Sequence, residues 1–121
     1  MNCKILAEER WGRGGTRALP TNREGVSFWS CSGHGGYVVD VKLLTADERK
    51  RLRAMFATLR PSVQDRINAG GNLVWYFEED CEWAVLEACT SIRVINQPDD
   101  IDLRDKMLKM LRSDNEHRNA A

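Results

Sequence analysis

A histidine framed by glycines is the most unusual chemical feature of the chain. It lies in the segment Ser30-Cys31-Ser32-Gly33-His34-Gly35-Gly36. Glycines let a backbone approach a ligand closely and leave the imidazole sterically free. This pattern favours a binding or catalytic loop with His34, Gly35 and Gly36 as candidate binding residues. It also fits a tight hairpin whose glycines supply positive φ angles while His34 points to solvent. A phosphate-binding loop is excluded, because no Gly-Lys-Ser/Thr follows and no helix opens directly behind the glycines.

A cluster of acids between two tryptophans is the second candidate site. The run Trp75-Tyr76-Phe77-Glu78-Glu79-Asp80-Cys81-Glu82-Trp83-Ala84 places four carboxylates in five positions. The cluster could supply a general base or an anionic surface, which makes Glu78, Glu79, Asp80 and Glu82 candidate binding residues. The structural alternative is a strand that runs into a helix, whose positive N-terminal dipole is complemented by an acidic first turn.

A catalytic interpretation joins these two segments through Cys81. A thiolate forms readily at a helix N-terminus, so His34 and an acid such as Asp80 could act as its base and orienting group. The chain would then be a small hydrolase or transferase with His34, Asp80 and Cys81 as catalytic residues. Cys81 also begins an apolar helical stripe, which favours a core position for it instead.

The cysteines indicate neither a disulfide scaffold nor a metal site. No pair is spaced as Cys-x-x-Cys among Cys3, Cys31, Cys81 and Cys89. We therefore expect buried free thiols, no bound metal and no cofactor.

Local patterns predict the elements that position these residues. We expect strands over residues 3–11, 26–31 and 37–42, the last two joined as a hairpin across the glycines. A capping box at Thr45 and Glu48 opens a helix, Pro61 opens a shorter one, and residues 73–77 form another strand. A helix from Glu78 follows, and a last helix turns Leu103, Met107, Met110 and Leu111 inward.

The resulting order, β-β-β-α-α-β-α-α, predicts an α+β fold. We expect a small antiparallel or mixed sheet with the helices packed on one face. Residues 1–112 would form a single domain, and the polar residues 113–121 a flexible C-terminal tail.

Charge is segregated along the chain although its net value is zero. Residues 40–70 carry seven basic groups against four acidic ones, and residues 71–105 carry nine acidic groups against two basic ones. The basic run at residues 49–53 lacks interleaved aromatics, which argues for a solvated helix face and against direct nucleic-acid binding. No apolar run is long enough to span a membrane and no signal peptide is evident, so we expect a cytoplasmic protein.

The two candidate segments together resemble an uncharacterised domain family found in phage-, plasmid- and island-borne proteins of proteobacteria. Its pattern joins a Ser-His-Gly-Gly loop after a β-strand to a Trp-Tyr-Glu-Glu-Asp-Cys-Asp-Trp-Ala strand-to-helix junction. The matching positions are Ser32, His34, Gly35, Gly36, Trp75, Tyr76, Glu78, Glu79, Asp80, Cys81, Trp83 and Ala84. The chain departs from the pattern by the extra Gly33 and Phe77 and by Glu82 in place of aspartate.

The resemblance implies a genomic context and no particular reaction. Small proteins of mobile elements often bind and inhibit host defence systems, as anti-CRISPR proteins do. The expected function is therefore stoichiometric binding to a host protein in the bacterial cytosol, such as a nucleic-acid-processing defence complex. The acids from Glu78 to Glu82, with Asp99, Asp100 and Asp102, would face basic channels of that complex.

Overall fold

A computed structural model describes residues 3–12, 17–31 and 34–112 of the 121-residue chain. These residues form an α+β fold with a four-stranded antiparallel sheet, so the predicted fold class is confirmed. The predicted C-terminal tail, residues 113–121, lies outside the described residues. The helices and strands are α1 (Cys3–Trp11), β1 (Arg17–Leu19), β2 (Val26–Cys31), β3 (His34–Asp40), α2 (Ala46–Phe56), α3 (Pro61–Ile67), β4 (Val74–Glu78), α4 (Trp83–Cys89) and α5 (Ile101–Leu111).

The sheet has the strand order β1-β2-β3-β4, with every neighbouring pair antiparallel. Its register aligns one residue from each strand in a row on the same face: Leu19, Phe28, Tyr37 and Phe77. Residues that alternate along a strand point to opposite faces, so each strand contributes to two separate layers.

The larger hydrophobic core lies between one face of the sheet and the helices α2 to α5. The sheet contributes Tyr37, Val39, Trp75 and Phe77, all fully or almost fully buried. The ring of Phe56 on α2 meets that of Trp75 edge to face, with centroids 5.0 Å apart. An edge-to-face pair of aromatic rings stabilises the fold in addition to the stability that comes from burying their apolar area.

The prediction of a strand at residues 3–11 was wrong, because this segment is the helix α1. Its apolar residues Cys3, Leu6, Ala7 and Trp11 recur at helical spacing and pack on a second core formed by the opposite face of the sheet. Ala7 is fully buried there. The helices therefore cover both faces of the sheet, whereas the sequence predicted one.

The capping box that opens α2 is present as predicted. The Glu48 N–H donates to Thr45 Oγ1 at 3.1 Å, and the Thr45 N–H donates to Glu48 Oε1 at 2.9 Å. Glu48 also receives two hydrogen bonds from the Arg23 guanidinium at 2.8 and 2.6 Å. The cap of α2 therefore also fixes the loop that leads into β2.

Arginines of the basic run on α2 are bound within the molecule. Arg49 and Arg51 donate to the carbonyl oxygens of Leu44 and Cys89, at 2.6 and 2.8 Å. The Arg53 guanidinium lies over the Trp75 ring, 5.8 Å from its centroid. These contacts assign the three side chains a structural role.

The face that α5 buries differs in part from the predicted one. Leu108 and Leu111 are buried and Met107 is partly buried, whereas Leu103 and Met110 are exposed. Among the described residues, no helix is both long and apolar enough to cross a membrane.

Candidate binding cleft

An open cleft lies at the β1 side of the sheet, between the sheet, α4 and the segment that leads into α5. Its volume is about 480 Å³, which is within the range of ordinary ligand sites. It is lined by Leu19, Phe28, Ser30, Tyr37, Glu79, Trp83, Glu87, Arg93, Val94, Gln97, Pro98, Asp100 and Leu103.

The apolar wall of the cleft combines the sheet with α4. Leu19, Phe28 and Tyr37 come from the cross-strand row, and the rings of Phe28 and Tyr37 meet edge to face with centroids 4.9 Å apart. Trp83 and Glu87 are four residues apart on α4, so they share one helix face and line the cleft together.

A hydrogen-bonded carboxylate lies in this wall. The Tyr37 hydroxyl donates to Glu87 Oε2 at 2.8 Å, and Arg93 Nε lies 3.6 Å from Glu87 Oε1. Burial raises the pKa of Glu87, and the Tyr37 hydrogen bond and Arg93 oppose this shift. Burial and the neighbouring Glu87 charge raise the pKa of Tyr37, so its phenol remains a neutral donor.

The Arg93 guanidinium is held against the protein. Its Nη1 donates to the carbonyl oxygens of Thr90 at 3.0 Å and Ile92 at 2.7 Å. Its Nε is 3.3 Å from Asp99 Oδ1, which also lies 3.5 Å from Arg104. The positive charge of Arg93 is therefore shared among several acceptors of the cleft wall.

Glu79 contributes a second carboxylate to the cleft. Its backbone N–H donates to the Gly35 carbonyl oxygen at 3.0 Å, which holds the turn after β4 beside the start of β3. Burial and the nearby Asp80 raise the pKa of Glu79, while the charge of His34 opposes this shift. The two sequence-predicted segments therefore meet, through Glu79 and His34.

The predicted glycine loop is instead the beginning of β3. His34 is exposed and pairs with Cys31, whereas Gly35 and Gly36 are buried within the sheet. Their φ angles are +143° and +148°, and an added Cβ atom would lie 2.1 Å from the carbonyl oxygens of Trp29 and Phe77, respectively. The two glycines permit close strand packing, in agreement with the hairpin interpretation of this segment, and their role as ligand-binding residues stays a prediction.

The predicted acidic helix start is also wrong. Glu78 belongs to β4, where it pairs with Gly36, and a turn separates it from the first residue of α4, Trp83. Strand pairing continues because β3 offers backbone partners as far as Gly35. Glu78 Oε1 lies 3.8 Å from Nη2 of Arg10 on α1. The Glu78 side chain therefore contacts the helix that covers the opposite face of the sheet, and it does not line the cleft.

Glu82 is fully buried, which contradicts its predicted place on an exposed acidic surface. Arg66 Nε donates to its Oε2 at 2.7 Å, and the Glu78 N–H donates to its Oε1 at 3.4 Å. Burial raises the pKa of Glu82, and the Arg66 hydrogen bond opposes this shift. The carboxylate therefore ties α3 to the β4–α4 turn.

Cys81 does not have the environment of a nucleophile. Its side chain packs against the larger core, and burial followed by the charge of Glu82 raises its thiol pKa. Asp80 is exposed beside it. In the described part of the chain, no group of three His, Cys, Asp or Glu side chains is arranged to hold a metal ion.

Of the residues that line the cleft, the sequence predicted Glu79 and Asp100 as parts of an acidic surface, but not most of the others. The sequence pattern places Phe28 and Tyr37 in strands and gives no sign that Glu87 and Arg93 belong to a site. One available signal was Glu87, a charged residue placed four positions after Trp83 in an otherwise apolar stretch. The contact with Tyr37, fifty positions earlier, depends on the fold.

No protein-family model, curated protein or solved structure matches this chain.

Proposed function

We propose that the protein acts by stoichiometric binding to another protein, and that the cleft and its acidic rim form the contact surface. The observation that supports this proposal is an open cleft that combines an aromatic wall with the carboxylates of Glu79 and Glu87. Aromatic side chains that line a pocket are typical of the anchoring points of protein interfaces.

The charge around the cleft supports a basic partner. Three acids, Glu79, Glu87 and Asp100, line the cleft against one arginine, Arg93. The exposed Asp80, Asp99 and Asp102 are close in sequence to these acids. An acidic surface of this kind accelerates encounter with a basic surface and disfavours acidic competitors.

The partner that we propose is a nucleic-acid-processing defence complex of a bacterial host. The resemblance to mobile-element proteins motivates this choice, and a basic nucleic-acid channel has the charge that the cleft rim complements. In this proposal the protein is an anti-CRISPR-like inhibitor that occupies the channel without catalysis. The position of Cys81 gives less support to the alternative, a hydrolase or transferase that uses His34, Asp80 and Cys81.

Affinity capture from a bacterial host that carries such a defence system tests the proposal. Tagged wild type would be compared with Glu79→Lys, which reverses a charge in the cleft, and with Asp65→Lys, which reverses an exposed charge on α3. We expect wild type and Asp65→Lys to capture a component of the defence system from the host. With that component purified, both proteins should form a 1:1 complex. Glu79→Lys should reduce its recovery at least tenfold.

Phage plating on the defended host provides the functional measurement. We expect wild type and Asp65→Lys to restore plating, and Glu79→Lys to lose most of this effect. Unchanged plating with wild type, together with no defence component in the captured material, would contradict the proposal. Equal recovery with all three proteins would contradict the assignment of the cleft.

A further inference from the structure

We infer that the cleft receives a basic side chain, arginine or lysine, that the protein partner inserts between the aromatic wall and the carboxylates of Glu79 and Glu87. This inference rests on the proposed function and specifies the chemistry that the partner must present.

The charge balance inside the cleft favours a cation. Glu79, Glu87 and Asp100 outnumber the one lining arginine. Arg93 already donates to two backbone carbonyls and lies close to Asp99 and Glu87, so its charge is directed into the wall. An entering cation would reduce this excess of negative charge, whereas an entering anion would add to the repulsion.

Hydrogen bonding fixes the position of the carboxylate that lies in the wall. Glu87 Oε2 accepts from the Tyr37 hydroxyl at 2.8 Å, which prevents the carboxylate from turning freely. A carboxylate that is already oriented needs less reorganisation when a cation arrives. The partly buried Glu79 lies in the turn that is tied to Gly35, so the second carboxylate is also attached to the sheet.

The aromatic wall is suited to the same ligand. A guanidinium or ammonium group over an aromatic face gains about 0.5–2 kcal/mol. Two arginines of this chain already make such contacts: Arg10 lies 5.1 Å from the ring centroid of Tyr76, and Arg53 lies 5.8 Å from that of Trp75. Phe28 and Trp83 are the phenylalanine and tryptophan that line the cleft.

The apolar part of the lining suits the aliphatic stem of a basic residue and its neighbours. Leu19, Val94, Pro98 and Leu103 line the cleft beside the charged groups. Arginine and lysine pack their methylene groups on such surfaces while their charged ends reach polar groups. The volume of about 480 Å³ exceeds one side chain, so it leaves room for flanking residues of a protein segment.

Titration with short peptides tests the inference. The probes are N-acetyl, C-amide tripeptides of the form Gly-X-Gly, in which X is arginine, lysine or the neutral isostere citrulline. The readout is the chemical shift of the assigned Trp83 indole N–H. We expect saturable shifts with the arginine and lysine peptides, and an affinity at least tenfold lower with the citrulline peptide.

Two variants connect the binding to the cleft. Glu79→Gln keeps the shape of the side chain but removes its charge, and we expect it to weaken binding of the arginine peptide at least threefold. Asp65→Asn removes an exposed charge on α3, outside the cleft lining, and should leave the affinity unchanged. Unchanged backbone spectra of both variants would show that neither substitution alters the fold.

The outcomes separate this inference from the proposed function. Equal binding of the citrulline and arginine peptides, or no saturable shift with either cationic peptide, would overturn the inference. The proposed function would still stand if affinity capture recovered a partner whose binding depends on Glu79. Cation-selective binding without any captured partner would overturn the proposed function and, with it, the assignment of the cation to a protein.

Discussion

At the level of single residues, the environment of each glutamate determines its role. Glu48, Glu82 and Glu87 are chemically identical, yet each is paired with a different arginine and belongs to a different part of the fold. Arg23 lowers the pKa of Glu48, whereas burial raises the pKa values of Glu82 and Glu87. Only Glu87 of these three lines the cleft.

Charge reversal at Glu82 and at Glu79 should have very different effects on stability. Glu82→Lys would place a second positive charge beside Arg66 at a fully buried position, so we expect the free energy of unfolding to fall by about 3–5 kcal/mol. Glu79→Lys acts at the partly buried edge of the cleft, where we expect a change within about 1 kcal/mol. Urea denaturation measures both values. A similar loss for the two variants would contradict the structural role of Glu82.

At the level of the elements, close approach of two strands explains the pair of glycines. Gly36 has a φ angle of +148°, and an added Cβ atom would lie 2.1 Å from the Phe77 carbonyl oxygen. We expect Gly36→Ala to lower the free energy of unfolding by about 3 kcal/mol, because both the backbone conformation and the spacing of β3 and β4 oppose a side chain.

Gly71 provides the matched control for this prediction. It also has a positive φ angle, +72°, but an added Cβ atom would meet nothing within 4 Å. Gly71→Ala should therefore lower the free energy of unfolding only through the unfavourable φ angle, by about 1 kcal/mol. Thermal or urea denaturation of the two variants compares them directly, and equal losses would show that strand proximity is unimportant at Gly36.

Elements with a strong local signal were predictable from the sequence. The capping box at Thr45 and Glu48 and the helix start at Pro61 are both present, since each depends on residues within one helical turn. The helical spacing of the apolar residues of α1 is also a local signal, but the face of the sheet that α1 covers and the end of β4 were not predictable in this way. Ala7 is buried in the cluster that contains Trp29 and Val38 of the sheet, and Glu78 stays in the strand because Gly36 pairs with it. Both outcomes depend on long-range contacts.

At the level of the whole molecule, the cleft is an edge feature of a sheet that is covered on both faces. One wall, the segment around Arg93, is tied to the chain before β2: the Asn22 N–H donates to the Arg93 carbonyl oxygen at 3.0 Å, and Asn22 Oδ1 accepts from the Arg93 N–H at 2.8 Å. The Ile95 N–H donates to the Pro20 carbonyl oxygen at 2.8 Å. Opening the cleft would break these bonds, so its shape depends on the integrity of the fold.

Proton binding to two of the glutamates should change the stability of the whole molecule in opposite directions. The pKa of Glu87 is raised above its ordinary value of 4.5, so the folded state retains a proton that the unfolded state has lost. Stability attributable to Glu87 therefore increases as the pH falls from 7 towards 4.5. The pKa of Glu48 is lowered, so its contribution is present above pH 4.5 and is lost as the pH falls below that value.

Glu87→Gln and Glu48→Gln isolate these two contributions, since glutamine does not titrate. We expect the stability of wild type relative to Glu87→Gln to rise between pH 7 and pH 5, and that of wild type relative to Glu48→Gln to fall between pH 5 and pH 3. Urea denaturation across this range measures both differences, and effects common to the whole chain cancel in each. If the stability of wild type relative to Glu87→Gln fell instead as the pH was lowered from 7 to 5, the pKa of Glu87 would be lowered in the folded protein. The Tyr37 hydrogen bond and Arg93 would then outweigh the effect of burial on this pKa. The wall of the cleft would then hold a carboxylate already stabilised in its charged form, with less to gain from an entering cation.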